Sequence, residues 1–107
     1  MDYQTTQYYN SQTQQTTMTY REINMSIKGL LRKKMRVLRQ SPSDTANFFD
    51  DYGLSKWEIN LLLYNVEDHF NIRLRNGLED EIHTINQLVN VIHNEKQRQV
   101  DSRVNLN

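Results

Sequence analysis

"FDDYGLSKWEINLLLYNVEDHF", residues Phe49–Phe70, reads as a turn that runs at once into an amphipathic helix. Gly53 gives the turn its freedom. Ser55 and Glu58 have the S-x-x-E spacing of a capping box, in which each side chain satisfies the other residue's backbone N–H. Beyond them Ile59, Leu62, Leu63, Val66 and Phe70 recur at helical steps and form one buried stripe. The spacing predicts a helix from Ser55 to about Phe70. One residue runs against the local physics. Lys56 puts a cation in the first turn, where the helix dipole is positive.

Working outward, a second amphipathic pattern precedes this one. Ile23, Ile27, Leu30, Leu31, Met35 and Leu38 predict a helix over about Glu22–Leu38, with Gly29 as its one weak helix former. "QSPSDTANFFDDYG" between the two is a loop, because Pro42 cannot extend a helix. Phe48 and Phe49 are expected to pin that loop to the core. Downstream, "NIRLRNGLEDEI" holds one short helical turn at best. Thr84 and Gln87 then form another capping box, and Ile85, Leu88, Val89 and Ile92 face inward behind it. No strand alternation occurs. The expectation is an all-α bundle of three or four helices with a long loop after the first, spanning residues 21–95. Residues 1–20, rich in Gln, Thr and Tyr, and residues 96–107 read as disordered tails.

Composition narrows the class. A hydrophobic fraction of 36% suits a small core with polar flanks. The absence of cysteine excludes disulfides and thiolate metal sites, and a reducing cytoplasm fits it. Residues 1–20 lack the apolar run of a secretory signal. The longest strongly apolar run, Leu61–Tyr64, is too short to span a bilayer. A cytoplasmic monomer without membrane attachment is the expectation. The net charge of zero hides an asymmetry. Residues 21–40 carry seven basic residues and one acid, whereas residues 41–82 carry three basic residues and nine acids.

The order of these elements resembles the acyl carrier protein family. That family has an acidic-Leu-Gly turn, Asp-Ser-Leu, an acidic second helix ending in Phe, a short third helix, and Thr-Val before the last helix. Asp51-Tyr52-Gly53, Ser55-Lys56-Trp57, Val66-Glu67-Asp68-His69-Phe70, Ile72, Leu74 and Thr84-Ile85 match it in order and without a gap from Phe48 to Ile92. The resemblance implies a carrier-like fold and a serine bearing a phosphopantetheine arm. Counted from Gly53, that serine falls at position 56, which is Lys56, and an amine cannot form the phosphodiester. The neighbouring Asp and Leu are replaced by Ser55 and Trp57.

Two readings of Ser55 stay open: a plain helix cap, or an arm-bearing serine one residue early. Trp57 is expected in the core, or as a plug in the channel that holds acyl chains in carriers. In the family, acids on the second helix dock partner enzymes, so Ser55, Lys56, Glu58, Leu61, Tyr64, Glu67 and Asp68 are the candidate docking residues. The function expected is a non-catalytic, carrier-like scaffold that binds biosynthetic or regulatory proteins, as in fatty acid or polyketide synthesis, without phosphopantetheine. The alternative is a functional carrier modified at Ser55.

A second alternative is nucleic-acid binding by Lys28, Arg32, Lys33, Lys34, Arg36 and Arg39 on the first helix. Against it stand the neutral total charge and the absence of stacking aromatics, so this basic face is expected to pair with the acidic second helix. His69, His83 and His93 have no partner histidine at ligand spacing, so no metal is expected. No nucleophile–base pair or glycine-rich phosphate loop can be placed, and no catalytic residue is assigned.

Overall fold

The computed structural model describes residues 18–33 and 43–105. Three α-helices run through them: α1 (Tyr20–Lys33), α2 (Lys56–Phe70) and α3 (Ile85–Asn105). A 3-10 turn, Leu78–Asp80, lies between α2 and α3. Asn47 and Thr84 form an isolated antiparallel bridge, and no strand occurs among the described residues. The architecture is the all-α bundle that the apolar stripes predict. Met35, Leu38 and Pro42 lie outside the described residues, as do residues 1–17 of the expected tail.

All three helices open with the same device. Ser55 Oγ accepts from the Glu58 N–H at 3.1 Å while Glu58 accepts from the Ser55 N–H at 2.8 Å. Thr84 and Gln87 repeat the exchange at the start of α3, both bonds being 3.2 Å. Thr19 and Glu22 do the same for α1, at 2.8 and 3.1 Å. This third box corrects the expected tail boundary. Thr19 is a cap, and Met18 packs against the core. The T-x-x-E signature was present in the sequence and marks a helix start two residues earlier than the apolar stripe does.

The stripes meet as expected. Ile23, Ile27 and Leu31 of α1 are buried, with Ile59, Leu62 and Val66 of α2 and Ile85, Leu88 and Ile92 of α3. α1 packs mainly on α3 and less on α2. Phe48 is fully buried, and Phe49 is partly buried beside it. The Phe48 N–H donates to the His83 carbonyl at 2.8 Å, and the Asn86 N–H donates to the Asp44 carbonyl at 3.0 Å. The loop is thus stapled to the entrance of α3, which fixes the path into Gly53 and α2.

α3 continues well past the expected end of the domain. Lys96 Nζ donates to the Phe70 carbonyl at 3.2 Å, and Gln99 Nε2 donates to the Asn71 carbonyl at 2.9 Å. The last carbonyls of a helix have no partner within it, and a cation there also suits the dipole. Asn71 takes the left-handed conformation (φ 56°) that ends α2, one that asparagine tolerates. Polar residues that read as a frayed tail therefore serve as anchors.

Asp44 joins three parts of the fold. Its Oδ1 accepts from Asn24 Nδ2 at 3.0 Å and lies 2.8 Å from Lys28 Nζ, so it ties the loop to α1. The Asn24 amide first, and Lys28 second, hold its carboxyl below the usual carboxylate range. A carboxyl depressed in the folded state contributes stability that is fully present above its unfolded value and is lost as pH falls through the folded one. Thermal unfolding followed by circular dichroism is therefore expected to weaken below about pH 4. Asp44→Asn should flatten that acid dependence. Glu81, held down by Arg75, acts in the same direction from the surface.

Candidate functional site

The turn entering α2 is built from Gly53, at φ 67°, and the buried Leu54. Gly53 adopts a conformation open to it for lack of a Cβ. Ser55 follows in extended geometry as the N-cap. Its hydroxyl oxygen is occupied by the Glu58 N–H, and the Glu58 carboxylate is turned back to the cap. Two of the candidate docking residues are thereby committed to holding the helix start.

Lys56 projects sideways. Its Nζ lies 3.0 Å from Asp80 Oδ1 on the 3-10 turn, with both side chains largely exposed. The hydrogen bond to Asp80, followed by its charge, raises the lysine above its ordinary value. This carboxylate offsets the unfavourable placement of a cation at the positive end of α2. Asp80 lies 24 residues further along the chain, and nothing in the sequence pairs the two.

Trp57 is 69% exposed, which corrects its placement in the core or in an acyl channel. The reason is angular. Two residues before Ile59 is about 200° around the helix, the side opposite the buried stripe. Leu61 and Tyr64 follow Trp57 at i+4 and i+7 and share its face, with Asp68 at i+11. Leu61 is half-buried, Tyr64 is 66% exposed and Asp68 is exposed. The outward face of α2 is therefore an aromatic and aliphatic row that ends in an acid.

Glu67 sits on the flank of that row, with Lys56. Its Oε2 accepts from the Leu74 N–H at 2.7 Å, which orients it against the loop after α2. Tyr64 stands between two open grooves. One, of about 350 Å3, runs along Asn60, Glu67 and Arg75. The other, of about 250 Å3, is bounded by Asp68, Ile72 and Arg73. The seven candidate residues thus fall into a cap (Ser55, Glu58), a charged flank (Lys56, Glu67) and an outward row (Leu61, Tyr64, Asp68) that Trp57 extends.

Among the described residues no ion pair joins the basic helix to the acidic one. The pairs among them are Lys28–Asp44, Lys56–Asp80, Arg75–Glu81 and Arg98–Glu95. The loop carboxylate of Asp44 takes the place expected of α2. Arg21, Met25, Lys28 and Arg32 line an open groove on α1. Lys34, Arg36 and Arg39 lie outside the described residues.

The histidines are dispersed. His69 is exposed and sits edge-on to Phe70, His83 is half-buried near Phe49, and His93 stacks on Tyr20 at 4.2 Å. Among the described residues no three His, Cys, Asp or Glu side chains gather in a metal-binding group. No helix among them is long and apolar enough to cross a membrane.

Position 56 offers an amine, and the adjacent hydroxyl of Ser55 is part of a cap. Set against protein-family models and against curated proteins, the chain matches none of them.

Proposed function

We propose that this chain is a carrier-like docking protein without the carrier's arm, using the outward face of α2 to bind other proteins. The observation that carries the proposal is Lys56. It stands where the acyl carrier resemblance requires a serine, bridged to Asp80, and directly before a row in which Trp57 and Tyr64 are exposed and Leu61 half-buried. An exposed apolar row with a charged flank suits protein contact, in which aromatic side chains carry much of the binding energy. Biosynthetic or regulatory proteins are the partner class that the resemblance implies.

Incubation with coenzyme A and a broad-specificity phosphopantetheinyl transferase is expected to leave the intact mass unchanged. Protein purified from its own host should give the same mass. A gain of one phosphopantetheine that disappears in Ser55→Ala would establish the opposite reading, a working carrier modified one residue early. The Lys56→Ser, Trp57→Leu double variant restores the family's Ser-Leu pair and serves as the comparison most open to modification.

Nucleic-acid binding through α1 is the weaker reading. Lys28, central to its basic stripe, is already paired with Asp44. A salt-dependent gel shift with random DNA would favour it over protein docking.

A further inference from the structure

We infer that the outward face of α2 recognises itself, so that two copies of this chain meet with their α2 helices antiparallel about a two-fold axis near Leu61. The inference rests on reading α2 as a docking face, and it names the occupant of that face.

A two-fold interface must be complementary to itself. The α2 face meets that requirement in its charges. Lys56 begins the helix, and Glu67 and Asp68 end it. Lys56 and Glu67 are eleven residues apart, within about 20° of each other around the helix, so they lie on one flank. A two-fold axis perpendicular to antiparallel helices keeps that flank on the same side. It therefore brings Lys56 of one copy beside Glu67 of the second, twice per pair. Parallel two-fold packing would instead carry the two flanks to opposite sides of the pair, so that Lys56 and Glu67 could not meet across it.

The apolar row obeys the same symmetry. Trp57 of one copy approaches Tyr64 of the second, and Leu61 meets its own counterpart. The antiparallel arrangement also opposes the two helix dipoles favourably.

The groups already bonded do not block the contact. The Lys56–Asp80 pair is exposed on both sides and uses one of three ammonium hydrogens. Glu67 gives one oxygen to Leu74 and keeps the other. Trp57 and Tyr64 make up half of the large hydrophobic side chains exposed among the described residues, and they lie two turns apart on one face of α2. Burying them removes the most water-exposed apolar surface on α2. The exposure of Trp57 supplies apolar surface for a dimer where a monomer was expected.

The test uses the full chain and its single tryptophan. Light scattering after size exclusion, across a concentration series, is expected to show a monomer passing to a dimer. Trp57 emission should shift to the blue over the same range. Lys56→Glu and Glu67→Lys are each expected to weaken association about tenfold or more, because both Lys56–Glu67 contacts in each homodimer become repulsive. Mixing the two variants should restore it, since every contact in the mixed pair again joins opposite charges. Trp57→Ala should remain helical by circular dichroism and monomeric.

A monomer at every concentration with unshifted emission would overturn the inference. A dimer indifferent to these three variants, and not restored by mixing, would also overturn it. Cross-linking in host extract separates this failure from failure of the docking reading. A monomeric chain that captures another protein, and loses it on Tyr64→Ala, keeps the docking face and rejects the second copy as its occupant. A monomeric chain whose cross-links ignore Tyr64→Ala rejects both.

Discussion

Phe48→Ala is expected to remove most of the stability of this domain. The ring is fully buried although it sits in a loop, and its own peptide group is hydrogen-bonded on both sides. Its N–H reaches the His83 carbonyl, and its carbonyl accepts from the Leu54 N–H at 2.9 Å. Those bonds hold the backbone in place, so the loop cannot collapse freely into the space left by the ring. A cavity that cannot close costs about 3–5 kcal/mol for a Phe→Ala change. A core of this size supports a total near the lower end of the usual ~5–15 kcal/mol. Urea denaturation followed at 222 nm should show the folded baseline shortened or absent. Phe49→Ala, at the partly buried neighbour, should cost clearly less.

Ile27→Asp is expected to be more severe. Ile27 is the middle of three buried positions through which α1 packs on the rest of the bundle. The substitution removes an aliphatic side chain and places a carboxylate where none of the buried residues is polar or charged. Lost burial and an unpaired charge together cost about 4 kcal/mol or more. Calorimetry should find no cooperative transition. Ile27→Val, which keeps most of the volume, should cost only about 0.5–1.5 kcal/mol.

The helices were legible because their signals are local. Ile59, Leu62, Leu63, Val66 and Phe70 mark the buried side of α2 by spacing alone, and all five are buried. Ser55 with Glu58, and Thr84 with Gln87, mark helix starts by chemistry that reaches only three residues. Leu78–Asp80 is the short turn that the segment before α3 allowed. Trp57 was also legible. Its angle from Ile59 places it outside, and the size of the indole made burial look favourable where the helix does not allow it.

Other features depend on contacts that no local pattern encodes. Asp80 reaches Lys56 across the chain, and Asp44 takes the lysine that the charge distribution suggested for α2. In both cases the partner is one acid among several nearby in sequence, and only the fold selects it. The candidate docking residues share one helix, so their existence as a group was readable. Their division into cap, flank and outward row was not, because it depends on which side chains the cap and the Leu74 loop withdraw.

The two bonds from α3 to the end of α2 decide where the molecule can be divided. A chain cut after residue 95 would lose Lys96 and Gln99 and leave the carbonyls of Phe70 and Asn71 to water. The same holds for a passenger protein joined at that point, since its first residues would occupy the path of the helix. At the other end, a cut before Tyr20 removes the Thr19 cap and the packing of Met18. The portable unit therefore reaches from Met18 to at least Gln99, and a helix that reads as overhang forms part of its boundary.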